Sequence, residues 1–216
     1  MTGLDRRRIL ALMAGLGALG LLPAQAQSQT REQGSFGMAF GPATPFDAET
    51  VVDRARELAA RPHVPPPEIN RDWRDLSYDD FRGIWFDPRN ALFRGSGGAV
   101  QADLFIAGLY FIPKIDINVV EGGNTRPVLF DAGAFSTTAQ FPDLPADGTG
   151  YGGLRLRGRL YTAGKFQEYA VFQGASYFRA IGRNHRYGLS ARGLALNTGE
   201  PGGEEFPVFR EFWFEA

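Results

Sequence analysis

The clearest alternation in the chain is LRLRGRL, residues 154–160. Leu154, Leu156 and Leu160 share one parity, and Arg155, Arg157 and Arg159 the other. A period of two places the leucines on one face of a sheet and the arginines on the opposite face. Residues 115–121 repeat the pattern, with Ile115, Ile117 and Val119 opposed to Asp116 and Asn118. The run DLFIAGLYFIP, residues 103–113, is mostly apolar and predicts a longer strand. Shorter extended segments follow from residues 84–86, 127–131, 166–173, 176–181, 189–197 and 206–215. Gly122-Gly123-Asn124 and Thr162-Ala163-Gly164-Lys165 supply turn chemistry between them. Frequent turns without alternating helices predict an all-β fold, an antiparallel β-sandwich.

Helical spacing is convincing once. Val51, Val52, Ala55, Leu58 and Ala59 recur at that period, Asp47 can cap the segment, and Pro62 stops it. One short N-terminal helix is therefore expected. Ser77–Phe81 (SYDDF) reads as a single capped turn, and Pro65-Pro66-Pro67 as an extended linker.

The first 26 residues read as an export signal. Arg6, Arg7 and Arg8 form a basic region, Ile9–Leu22 an apolar run, and Ala24-Gln25-Ala26 a small-x-small cleavage site. DRRRIL at residues 5–10 matches the twin-arginine type; an ordinary secretory signal with three arginines is the other reading. Residues 27–216 would then be the mature protein. No other stretch is long and apolar enough for a membrane span, so a soluble periplasmic protein is expected.

Composition excludes more than it assigns. Lys plus Arg total 23 against 24 Asp plus Glu, which argues against a general nucleic-acid binder. There is no cysteine, so disulfides, thiolate nucleophiles and thiolate metal sites are absent. His63 and His185 are the only histidines, so a multi-histidine metal site is excluded, and no metal or cofactor is expected. Gly95-Ser96-Gly97-Gly98 lacks the lysine of a phosphate loop and reads as a turn. His185 is read as a loop residue rather than a base for Ser176 or Ser190. Asp103, Asp116, Glu121, Asp131, Glu211 and Glu215 are available for acid–base work. Sequence selects no pair among them, and most read as solvated strand or turn residues.

The stretch GASYFRAIGRNHRYGLSARGLAL, residues 174–196, concentrates Arg179, Arg183, Arg186 and Arg192 beside Tyr177 and Tyr187. Flat aromatic faces and forked donors suit the apolar face and the hydroxyl rim of a pyranose. The structural reading of the same residues pairs the arginines with neighbouring acids and buries the tyrosines.

GASYFRAIG (174–182), YGLSARGLAL (187–196) and EEFPVFREFWFE (204–215) resemble the periplasmic glucan biosynthesis proteins, the D and G branches of one family. The helix from Asp47, SYDDFRGIWFDP (77–88) and the LYFIPKIDI segment follow in the same order. The resemblance implies a sandwich similar to galactose mutarotase, followed in relatives by an immunoglobulin-like domain that this chain lacks. It also implies a role in shaping osmoregulated periplasmic glucans with a β-1,2-linked glucose backbone. The twin-arginine signal favours the D branch, linked to endo-acting hydrolysis. The general acid of that branch lies beyond residue 216, so no catalytic residue is assigned here. Tyr177, Arg179, Arg186, Tyr187, Ser190 and Arg192 are the expected sugar contacts. The remaining alternatives are a non-catalytic glucan-binding scaffold and an inactive fragment of a split gene. The chain ends within an aromatic strand, so an incomplete sandwich is expected.

Overall fold

A computed structural model describes residues 37–161, 164–182, 185 and 188–215. The N-terminal export-type segment lies outside the described residues, as do Arg186 and Tyr187. In chain order the elements are β1 (Thr44–Pro45), α1 (Ala48–Ala59), α2 (Arg71–Arg74), α3 (Tyr78–Arg82), β2 (Trp85–Phe86) and β3 (Val100–Ile106). There follow β4 (Asp116–Glu121), β5 (Asn124–Pro127), β6 (Phe135–Ser136), β7 (Tyr151–Gly158), β8 (Gln167–Gln173), β9 (Tyr177–Ala180), β10 (Leu189–Arg192) and β11 (Glu211–Glu215).

The fold is all-β and sandwich-like, with few helices. β10-β9-β8-β7-β3 form a fully antiparallel five-stranded sheet, and β1-β5-β4-β11 a four-stranded one. A small β2–β6 ribbon stands beside them. In the four-stranded sheet β11 runs parallel to β4, pairing Phe212 with Ile117 and Phe214 with Val119.

The alternation at residues 154–160 does its predicted work as far as Gly158, where β7 ends. Leu154 is fully buried, and Arg155 and Arg157 point the other way, toward Asp103. Leu160, past the strand end, is exposed. The inner face of the five-stranded sheet carries Ala102, Leu104, Leu154, Leu156 and Phe172. Ile117, Val119, Phe212 and Phe214 meet them from the other sheet, with Phe172 edge-on to Phe212 at 5.7 Å. Burying such side chains contributes about 1.5–3 kcal/mol each, and this layer holds the two sheets together.

Three sequence expectations need correction. The apolar run 103–113 is not one strand. β3 stops at Ile106, and the chain then folds back, with Leu109 at φ 51° and Gly108 and Phe111 exchanging backbone hydrogen bonds. The reason is a second core cluster, in which Ile106 and Ala107 pack with Ile69, Trp73 and Leu76. A segment buried on both sides looks uniformly apolar whether or not it is extended. The second correction concerns helices: α1 is joined by α2 and α3. Asn70 caps α2 by accepting from Trp73 N at 3.1 Å, and Ser77 caps α3 by accepting from Asp80 N at 3.1 Å. α3 is the capped turn expected at SYDDF, whereas α2 was not foreseen. Third, Asp103 departs from the solvated reading given to most of the six acids; it is fully buried. Asp47 caps α1 as anticipated, and Thr50 reciprocates to form a capping box. Among the described residues no helix is long and apolar enough to cross a membrane.

Candidate functional site

β9 and β10 pair so that Tyr177 lies opposite Arg192 and Arg179 opposite Ser190. Directly opposed residues project from the same face, and positions two apart along a strand share it as well. Tyr177, Arg179, Ser190 and Arg192 therefore stand together on the outer face of the five-stranded sheet, and all four are exposed. Of the six residues expected from sequence, these four are brought together; Arg186 and Tyr187 lie outside the described residues.

Local geometry fixes each side chain. The β8–β9 turn uses Gly174 at φ 66° and Ser176 at φ 48°. Ser176 is buried and its hydroxyl donates to the Leu194 carbonyl at 2.9 Å, which ties the turn to the chain beyond β10. That turn presents the Ala175 carbonyl to Arg192, which donates to it at 2.7 Å. The same guanidinium lies 4.0 Å above the Phe206 ring, a cation–π contact that leaves its other face open. The Tyr177 and Ser190 hydroxyls are hydrogen-bonded at 2.8 Å. Arg179 lies along Gly188, where a Cβ would come within 2.8 Å of Nε, so any side chain there would displace the guanidinium. Both serines once considered as nucleophiles beside His185 are thus engaged elsewhere. His185 is an exposed loop residue whose carbonyl accepts from the Tyr161 hydroxyl.

The register extends this face inward across the sheet. Ser190, Arg179, Val171, Arg155 and Asp103 form one cross-strand row. At its inner end Asp103 accepts from Arg155 Nε at 2.8 Å and from Arg157 Nη2 at 2.7 Å. The alternation of Arg155 and Arg157 was visible in sequence; their partner, a full strand away, was not. Phe206 beneath Arg192 was likewise hidden.

Elsewhere, the parallel pairing of β4 and β11 selects one pair from the six carboxylates, Asp116 and Glu211. They line a cleft of about 650 Å³ together with Arg54, Lys114, Asn118 and Thr149. Glu211 Oε1 accepts from Arg54 Nε at 3.0 Å and Nη2 at 2.8 Å, which fastens α1 to the sheet. Desolvation, with the Glu211 charge adding to it, pushes the Asp116 carboxyl above its ordinary value. A carboxyl raised on folding lowers stability once pH exceeds its folded value, and the penalty vanishes below the unfolded value. Asp116→Asn is therefore expected to raise the melting temperature at neutral pH and to leave it unchanged at about pH 3. Calorimetry at the two pH values checks this.

The family model described as "Periplasmic glucan biosynthesis protein, MdoG" matches residues 46–216. The chain belongs to that family. Glucans biosynthesis protein G of Shewanella baltica is 46% identical over 176 residues, covering 79% of this chain and 32% of the relative. Glucans biosynthesis protein G of Shewanella putrefaciens is also 46% identical over 176 residues, with the same coverage. Glucans biosynthesis protein G 1 of Shewanella oneidensis is 45% identical over that length, again with the same coverage. The chain thus spans about a third of the length of these MdoG-family relatives. All of β1 lies before the match, while every strand from β2 to β11 lies within it. The segment that favoured the D branch precedes the match, and the relatives named here carry the G name.

Proposed function

We propose that this chain is the N-terminal part of an exported periplasmic protein that holds a β-1,2-linked glucan on the outer face of its five-stranded sheet. In that role the full protein would control or trim the glucan backbone. The observation carrying the reading is the arrangement of Tyr177, Arg179, Ser190 and Arg192 on one exposed face. The aromatic ring covers the apolar side of a sugar, and a guanidinium already fixed by Ala175 and Phe206 meets its hydroxyls at low ordering cost. The family description and the names of the Shewanella relatives support glucan as the polymer and the periplasm as the compartment.

A second reading, non-catalytic holding by this segment, is favoured by a specific observation. The carboxylate at the β3 end of that cross-strand row, Asp103, is fully buried and is already occupied as the acceptor of two arginines, Arg155 and Arg157. Hydrolysis, the activity attached to the D branch, would then depend on residues outside this chain.

In the full-length protein, Tyr177→Ala and Arg192→Ala are each expected to weaken binding of linear β-1,2-glucan by roughly tenfold, about 1.4 kcal/mol. Circular dichroism and melting temperature should stay close to those of the parent. Titration calorimetry reads the affinity; unchanged affinity in folded variants removes the assignment. Following glucan chain length over time separates trimming from holding.

A further inference from the structure

The proposed site occupies β9 and β10, but the strand register continues beyond them. Arg192 is opposite Tyr177, Tyr177 opposite Gln173, Gln173 opposite Gly153, and Gly153 opposite Phe105. These five positions form a line perpendicular to the strands, on the same face as the site. Neighbouring strands are ~4.8 Å apart, so the line from β10 to β3 is ~19 Å long, more than one sugar ring needs.

Its composition is uneven in a telling way. Two aromatics, Tyr177 and Phe105, flank an amide and a glycine, and a guanidinium closes one end. A Cβ at Gly153 would lie 2.6 Å from the Phe172 carbonyl oxygen and 3.0 Å from Gln173 Cγ. No side chain fits there because the Gln173 side chain packs over the buried glycine, so Gln173 is what the line presents between Phe105 and Tyr177. At the β3 end it opens into a cleft of about 300 Å³ whose walls include Tyr78, Phe81, Arg82 and Phe111. Phe105 and Gln173 belong to both the line and this cleft. Tyr78 is 63% exposed at its rim.

We propose that the glucan crosses the strands along this line. One ring lies over Tyr177 beside Arg192, the chain passes over Gln173, and a further ring enters the cleft between Phe105 and Tyr78. Aromatic faces take the apolar sides of the rings, and the amide and two guanidiniums, Arg192 and Arg82, take hydroxyls at intervals. This rests on the binding reading above and adds a direction, a minimum length and a second subsite. A chain lying along the strands would use β9 and β10 alone and never reach Gln173 or Phe105.

The test is a ladder of linear β-1,2-gluco-oligosaccharides titrated into the full-length protein. Affinity is expected to climb by roughly tenfold from the disaccharide to oligomers that reach the β3 cleft, and then to level off. Phe105→Ala, Gln173→Ala and Tyr78→Ala should flatten that climb, while Tyr177→Ala weakens every length. Phe105→Leu, which keeps apolar bulk but loses the flat face, gives the same readout should the alanine variant fold poorly. If the three β3-side variants leave the climb intact while Tyr177→Ala still weakens binding, the cross-strand path is wrong and the site stands. If Tyr177→Ala is also silent, the underlying site fails.

Discussion

Replacing Asp103 with alanine is expected to destabilise the folded protein by about 3–5 kcal/mol, the range for breaking a buried ion pair from one side. Asp103 is fully buried and is the shared acceptor of Arg155 and Arg157, which are themselves largely covered. Without it two guanidiniums remain on the sheet with their main acceptor gone. Arg157 Nε is already buried with no hydrogen-bond partner, and its Nη2 keeps only the neutral Gln101 Oε1, at 3.1 Å, once the carboxylate is gone. Glu168 lies 3.7 Å from Arg155 and is exposed, so it cannot replace a dry carboxylate. The measurement is urea denaturation of the full-length protein with Asp103→Ala. Asp103→Asn, which retains shape and one acceptor, should cost less than the alanine variant. A loss below 1 kcal/mol for Asp103→Ala would mean that the two arginines find other partners.

One position along, Leu104→Ala is expected to cost about 2–5 kcal/mol through the opposite face of the same strand. Leu104 has no exposed surface and sits where the two sheets meet, among Leu154, Ile117 and Phe172. Truncation removes its transfer free energy and leaves a cavity that two hydrogen-bonded sheets cannot collapse to fill. Against a total margin of about 5–15 kcal/mol for a typical domain, either change alone is severe. The two differ in signature. Leu104→Ala should leave the outer-face arginines in place, so glucan affinity measured below the melting point stays near the parent value. Asp103→Ala should weaken affinity as well, because the cross-strand row that contains Arg179 ends on Asp103.

Alternation made much of this architecture readable before any coordinates. Leu154 and Leu156 against Arg155 and Arg157, and Ile115 and Ile117 against Asp116, are period-two signals, which survive any tertiary arrangement that leaves one face wet. Asp47 and Ser77 were legible for a related reason, since a cap acts within three residues of itself. What stayed hidden depends on partners distant in sequence. Nothing in residues 107–113 marks the turn at Leu109, because Trp73 and Ile69 cover the segment from outside. Nothing near Glu211 announces a parallel neighbour at Asp116. At the site, Tyr177, Arg179, Ser190 and Arg192 were found because they cluster in one hairpin. Phe105, Gly153 and Gln173 share their face only through the register of β3, β7 and β8, and Asp103 could not be singled out from the other acids because its two cations come from another strand.

The parallel seam between β4 and β11 has a bearing on how the molecule is made. Apart from β1–β5 and β3–β7, every other ladder in the two main sheets joins strands consecutive in the chain, but this one closes a loop that encloses the whole five-stranded sheet after β3. Loop closure of that span slows folding. Until Phe212 and Phe214 emerge and dock, Phe172 lacks the edge-on ring that covers it from the opposite sheet. The newborn polypeptide therefore passes through an interval with Phe172 and Ile117 wet, and a chaperone that shields apolar β-surface would act on it during that interval.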